Sequence, residues 1–455
     1  MKIVVIGGDA AGMSAASKAK RINKSAEVIV FEKGNYVSFA ACGMPYYISG
    51  VVSDVQSLVH YPVEKFVIER GIDVRLGSEI ISINPALKSV SVKKRDGTIV
   101  NEIYDKLIIA SGASPKIPSF FKNYKNKYVL RWLEDAIKIK SETKNAKEVV
   151  IIGAGFVGIE MAEAFKISGK NVIMVEFLSR VLRGYDEEFG VEIIKTLTKN
   201  GINVRLNEEV TSVVADGTTI KSIKTKSGNE YHGDVFFISV GITPNVSFSQ
   251  NTGISLYDDH GGKSDGAISV NDRMETSIPD IYAVGDCATT FDLITEKNIY
   301  YPSATTANKQ GRVAGENAAG GHAVFKGVVR TDVIKIFDIE VGRVGLTVEE
   351  ASYEGFQPVT KSIKAGTKAN YYPGKKDIMV KFIADKKSHR LLGASLLGGE
   401  GVAKRIDIIS EALMKKSTLE DMLNIDYSYS PPFAPVWEPL YIAAEVLLSK
   451  IMNGE

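Results

Sequence analysis

Cysteine is nearly absent from this chain. Two thiols, Cys42 and Cys287, stand among 455 residues. That is too few for a disulfide framework, and the compartment it suggests is a reducing cytoplasm. An excess of charge of one sign is missing too. The formal net charge is +2, with 24% charged and 44% apolar residues, so neither nucleic acid nor a membrane surface is an expected partner. No apolar run reaches the length of a bilayer span. A secretory leader is not expected, because Met1-Lys2 runs directly into the apolar segment Ile3–Ile6. No metal site is expected. What remains is an ordinary globular composition, long enough for two or three domains.

The strongest positive signal is a duplication. Lys2–Ile6 is an apolar run that ends in Gly7-Gly8-Asp9-Ala10-Ala11-Gly12. A helix of small residues, the strand Glu27–Phe31 and the acid Glu32 follow. Val149–Ile152 is a second such run, ending in Gly153-Ala154-Gly155-Phe156-Val157-Gly158, with a helix, the strand Asn171–Val175 and Glu176 behind it. Each reads as a βαβ unit that binds a dinucleotide. The first glycine permits the sharp turn, the second clears space for a pyrophosphate, and the third lets helix and sheet approach. The helix N-terminus faces the phosphates and the acid accepts hydrogen bonds from a ribose diol. The first unit departs from the pattern: Asp9 occupies the place of the second glycine. A carboxylate there repels a pyrophosphate unless it turns away or bonds to backbone N–H groups.

A third segment returns to the first unit. Thr276–Asp286 reads as a turn, a strand and a terminal acid, and the expected helix Ser303–Asn317 comes next. The strands Lys106–Ala110 and Val235–Val240 end in Ser111-Gly112-Ala113 and Gly241-Ile242-Thr243-Pro244, which read as crossings between domains. Beyond Lys326 the pattern changes to short strands (Ile378–Ile383, Leu391–Ser395), a helix (Ala403–Lys415) and a proline-rich tail.

Cys42 lies among small residues soon after Glu32, in Ser38-Phe39-Ala40-Ala41-Cys42-Gly43-Met44-Pro45-Tyr46-Tyr47. If it opens a helix, the dipole lowers its pKa and favours the thiolate. Cys287, directly after Gly285-Asp286, reads as a packing residue. Together with Tyr371-Tyr372-Pro373-Gly374 and Tyr429-Ser430-Pro431-Pro432-Phe433, these motifs resemble a single-cysteine branch of the pyridine nucleotide–disulfide oxidoreductase family. They are most similar to its coenzyme A disulfide reductases, relatives of the NADH oxidases and peroxidases. Tyr47 stands where two-cysteine members carry their second cysteine. No histidine follows His389, so their C-terminal base is missing. Ala10 and Ala11 replace the histidine of the peroxidase type.

The resemblance implies an α/β fold with two Rossmann-like dinucleotide-binding domains, for FAD and NAD(P), and a C-terminal α+β dimerisation domain. The implied boundaries are 1–115 and 244–325 for FAD, 116–243 for NAD(P) and 326–455 for the homodimer interface. The implied FAD residues are Gly7, Gly8, Ala10, Ala11, Gly12, Glu32, Lys33, Ser111, Gly112, Gly285, Asp286 and Ala304. Those for NADH or NADPH are Gly153, Gly155, Phe156, Val157, Gly158, Glu160, Glu176 and Gly241. Glu160 is expected at the nicotinamide. Glu176 favours NADH by repelling a 2′-phosphate, which Arg180 and Arg183 nearby could offset. Ser14, Lys18 and Arg21 share one helix face while Ala15, Ala19 and Ile22 can face the sheet. With Ser38 and Arg70, that polar face is the implied coenzyme A contact. Tyr371, Tyr372 and Tyr429 are the implied proton donors, reaching the other subunit's cysteine.

The expected reaction is NAD(P)H-dependent, FAD-mediated reduction of coenzyme A disulfide through a Cys42–S–S–CoA mixed disulfide. The same parts also suit an NADH oxidase or a polysulfide reductase. An electron-transfer flavoprotein serving a protein partner is the reading from another class, and it leaves Cys42 without a task.

Overall fold

The computed structural model describes residues 1–249, 251–258 and 266–454. Residues 250 and 259–265, within the expected second FAD segment, and 455, within the expected C-terminal unit, lie outside the described residues.

Two parallel sheets follow from the two apolar duplications. Ile3–Ile6 and Val28–Phe31 are continuous apolar runs, as strands covered on both faces require. They pair in parallel with Ile6 opposite Phe31. The first sheet runs Ile281–Ala283, Lys106–Ile109, Lys2–Ile6, Glu27–Glu32, Asp73–Leu76, all parallel. The second repeats the plan as Ile202–Arg205, Asn171–Val175, Glu148–Ile152, Val235–Ile238, Lys127–Tyr128. In each, the strand order reverses at the central strand, which opens a crevice at its carboxyl end. Ile3, Val4, Val5, Leu107 and Ile108 have no exposure, and burying each contributes about 1.5–3 kcal/mol. Each unit also inserts a three-stranded antiparallel sheet, over 78–103 and 210–232. Ala113–Pro115 and Ile242–Pro244 pair antiparallel, so the chain leaves and re-enters the first unit side by side.

Small residues set how the first helix packs. Ala10–Ile22 lies against the helix Ala304–Ala318, where a Cβ on Gly311 or Gly315 would strike the carbonyl oxygens of Ala11 and Ala15. Ala15 and Ala19 are fully buried, but Ile22 is exposed, contrary to the expectation that it faces the sheet. It is the last residue of the helix, beyond the packing stripe and next to the cap residue Asn23.

The C-terminal body is a five-stranded antiparallel sheet in the order Asp332–Ile336, Ile339–Gly345, Leu391–Gly398, Asp377–Asp385, Pro358–Gly366. The helices Val402–Met414 and Pro439–Met452 pack on it. The architecture is thus the expected α/β arrangement, two dinucleotide-type units and an α+β body. Among the described residues, no helix is long and apolar enough to cross a membrane.

Candidate active site

The two glycine turns repeat each other closely. Gly7 and Gly153 have φ of 101° and 102°, and a Cβ on either would strike a carbonyl oxygen, of Ala110 or of Ser239. Glycine is therefore required at both. The third glycines, Gly12 and Gly158, let each helix approach the carbonyl of its own first glycine. The acids match as well. Glu32 accepts the N–H groups of Gly8 (2.7 Å) and Gly34 (2.6 Å), and Glu176 those of Ala154 (2.7 Å) and Leu178 (2.8 Å). Each carboxylate is anchored by these bonds, with lone pairs left for a ribose. Gly155 caps its helix, and a Cβ there would meet nothing within 4 Å, so open space lies before the N-terminus of Phe156–Ile167. Val157 is exposed on the first turn, and Gly241, at φ 108°, stands between the neighbouring strand Val235–Ile238 and Ile242–Pro244.

One cavity lies at the first turn. Gly7, Gly8, Glu32, Lys33, Ser111 and Gly112 line it, all expected FAD residues, together with Asp9 and Phe39. Arg131, Trp132 and Asn245 line it too, and no sequence motif marks them. Arg131 pairs with Asp286 at 2.8 Å, and Lys33 lies over the Trp132 ring. Asn245 is locked to the strand end by Ser111 Oγ, which donates to its carbonyl at 2.7 Å. The remaining expected FAD residues do not line this cavity. Ala11 and Gly12 are buried in helix packing. Gly285 donates its N–H to Gln310 at 2.8 Å, and Ala304 opens the helix behind. The cavity, the anchored Glu32 and the cleared turn fit a flavin adenine dinucleotide.

A second cavity lies along the helix Ala10–Ile22. Ser14, Lys18, Arg21, Ser38 and Arg70 all line it, along with Ala10. His60, Tyr61, Asn308 and Arg312 join them. His60 is fixed where its N–H donates to Ser38 O, and Arg312 comes from the helix packed on the first one. Arg70 donates to Ser17 Oγ at 2.8 Å and stacks on Tyr61 and Phe66, while Lys18 is paired with Glu316 at 2.7 Å. Arg312 lies one turn after Asn308 on an expected helix, and that i, i+4 spacing is the only sequence signal that could have found it.

The two cavities share a wall. Phe39 lines the first and Ser38 the second, and Ser38 holds a left-handed φ of 51°, strained for a residue with a side chain. Cys42 follows in the short turn Ala41–Gly43, before the six-residue helix Met44–Ser49. The thiol is exposed, yet its pKa is raised rather than lowered, against the helix-dipole expectation. Desolvation by the protein around it is the larger cause and the Glu160 carboxylate adds to it, while Arg131 opposes. The helix begins only at Met44, so Cys42 gains little from its dipole. Glu160, on the second nucleotide helix packed against Met44–Ser49, is itself pushed up to about 7 by burial and by Glu163. Cys287 is fully buried, its Sγ directed at Val284 O.

The tyrosines lie apart from this wall. Tyr371 and Tyr429 line one open cleft of the C-terminal body with Trp437, and no residue of the Cys42 segment is among its walls. A hydrogen bond that the Tyr429 hydroxyl donates to Tyr371 favours its protonated form and raises its pKa. Tyr372 is not among the lining residues of that cleft.

Two dinucleotide-type glycine turns, one with a cavity before it, and an exposed thiol under the charges of that cavity are the features of a nucleotide-dependent oxidoreductase. The chain belongs to the pyridine nucleotide-disulphide oxidoreductases: the family model matches residues 1–311, and the family's dimerisation-domain model matches residues 332–440. An NAD(P)H sulfur oxidoreductase (CoA-dependent) of Pyrococcus abyssi is 40% identical over 449 residues, 98% of each chain. A coenzyme A disulfide reductase of Staphylococcus aureus is 32% identical, covering 95% of this chain and 96% of that one. The solved NAD-dependent persulfide reductase of A. fulgidus is 36% identical with a TM-score of 0.95, covering all of this chain and 84% of that one.

Proposed function

We propose that this enzyme reduces coenzyme A disulfide with NAD(P)H, through Cys42 alone. The shared wall carries the reading. Adjacent residues, Phe39 and Ser38, border the first cavity and a cavity lined by Lys18, Arg21, Arg70 and Arg312, and Cys42, three residues on, feels the charges of Arg131 and Asp9 in the first. Coenzyme A bears a phosphorylated adenosine diphosphate, and guanidinium groups suit it because they pair with phosphate bidentately. Glu32, Lys33, Ser111 and Gly112 would hold FAD in the first cavity, where it would supply the two-electron relay between NAD(P)H and the disulfide. Glu176 and the turn Gly153–Gly158 hold the coenzyme, and Glu160 faces Cys42 from that side, where a nicotinamide ring would lie.

The Cys42 thiolate attacks one sulfur of coenzyme A disulfide. An S–S bond breaks, one coenzyme A leaves as thiolate, and Cys42–S–S–CoA forms. Reduction of that bond by two electrons releases the second coenzyme A and restores the thiolate. Tyr371 and Tyr429, in a cleft away from Cys42 of their own chain, suit a proton donor acting across a homodimer. Tyr371 is favoured over Tyr372 because it shares the cleft with Tyr429.

A second reading is favoured by the names of the sulfur-reducing relatives. With coenzyme A persulfide, attack at the sulfur bearing the coenzyme gives the same mixed disulfide and releases hydrosulfide. Steady-state kcat/KM for coenzyme A disulfide, coenzyme A persulfide, polysulfide and dioxygen, with product thiol and sulfide measured, separates them. A preference for dioxygen, retained in Cys42→Ser, would refute both.

A further inference from the structure

We propose that Asp9 is a protonated hydrogen-bond donor to the diphosphate of the flavin nucleotide, so that the chain takes up a proton when it binds its flavin. The inference rests on reading the first cavity as the flavin site.

The duplicated turns make the argument. Asp9 and Gly155 occupy the same place, each the cap residue of its nucleotide helix. At Gly155 the Cβ direction leads into open space before the helix N-terminus, which is where a diphosphate approaches. At Asp9 a carboxyl group stands on that Cβ and lines the cavity. Its side chain makes no cap hydrogen bond to its own helix, and one of its two oxygens, Oδ1, is buried with no hydrogen-bond partner among the described residues. An acceptor-only carboxylate cannot be satisfied by a diphosphate, which is itself an acceptor. A neutral carboxyl has one O–H to give.

The charges around it do not keep it ionised. Arg131 and the backbone N–H groups of Ala10 and Phe39 favour the carboxylate, but Arg131 is already paired with Asp286 at 2.8 Å and the three together do not offset burial. Glu32, from the end of the neighbouring strand, disfavours it, and Cys42, from the shared wall, interacts with it as a like charge. Lys33 lines the same cavity but is turned over Trp132. Burial is the largest influence and holds Asp9 at about 6 before any phosphate arrives. Two phosphate charges push the same way. At pH 8 the flavin-free chain therefore carries Asp9 ionised and must draw a proton from solvent on binding.

The test is calorimetric titration of FAD into the full-length chain freed of flavin, in two buffers of different ionisation enthalpy. At pH 8 the wild type should take up close to one proton per FAD that Asp9→Asn does not. Its affinity should fall about 50-fold between pH 6 and pH 8, as linkage requires for a group at about 6 that stays protonated in the complex. Asp9→Asn, which keeps a donor without the charge, should hold its affinity over that range. Asp9→Ser serves the same purpose should the asparagine variant fail to fold. Equal proton uptake in wild type and variant, or a wild-type affinity that is flat with pH, would overturn the proposal. Failure of every form to bind FAD would overturn the flavin reading of the cavity and the proposal with it.

Discussion

Glu160 is the residue whose replacement should be most informative. Its carboxyl is held at about 7, against 4.5 for an ordinary glutamate, by burial first and by Glu163 second. A raised carboxyl pKa means that ionisation penalises the folded state. The penalty is absent below about pH 4.5, grows as pH rises and is complete above about 7. Its size follows from roughly 1.4 kcal/mol per pKa unit, giving about 3 kcal/mol at pH 8. Glu160→Gln removes it, so the variant should resist urea better than wild type at pH 8 and no better at pH 4. The same substitution acts on Cys42, whose thiol Glu160 raises. Iodoacetamide alkylation followed against pH reports the thiolate, and Cys287 is too buried to contribute. The alkylation midpoint of Glu160→Gln should lie below that of wild type, and the wild-type curve should bend near pH 7 as Glu160 loses its proton. An unchanged midpoint together with unchanged stability at pH 8 would refute the placement of a titrating acid beside the thiol.

Cys42→Ser should abolish reduction of coenzyme A disulfide and retain FAD, whereas Cys287→Ser should be nearly silent in steady-state assays. Glu176→Ala should lower the NADH over NADPH preference by about 1–2 kcal/mol, measured as the ratio of kcat/KM values. Arg70→Ala and Arg312→Ala should each raise KM for coenzyme A disulfide about tenfold or more, the scale of a charge-assisted bond, and leave NADH oxidation with a small phosphate-free disulfide unaffected. Cys42→Ser co-expressed with a Tyr371→Phe/Tyr429→Phe chain should yield heterodimers with about half the activity per dimer, because one of two sites is then intact. Inactive heterodimers would mean that the tyrosines serve their own chain.

The parts legible in the sequence are those enforced locally by backbone geometry. A glycine that must reach φ near 100° beside a carbonyl, as Gly7 and Gly153 do, leaves a mark that no other residue can imitate. An acid anchored two residues before an N–H, as in Glu32 to Gly34, leaves another. Helical spacing was enough to bring Ser14, Lys18 and Arg21 to one cavity. Ile22 shows the limit of that argument. Periodicity gives the face of a helix but not where its packing partner ends, and the last turn runs past the stripe that Gly311 and Gly315 cover.

What was hidden depends on pairs of segments far apart in the chain. Arg131 enters the first cavity from the loop before a helix of the second unit, and Arg312 and His60 enter the second from elements with no motif of their own. The thiol is the sharpest case. A cysteine near a helix start argues for an acidic thiol, but the short helix begins two residues late, and Glu160 arrives from a helix more than a hundred residues away. The field at Cys42 is therefore set by how the two nucleotide units meet. Since the Glu160 carboxyl is held at about 7, the thiol's readiness to attack is coupled to a group on the helix Phe156–Ile167, the side we propose for the coenzyme. A nicotinamide seated there would alter the solvation of Glu160, and through it the acidity of Cys42, before any electron moves.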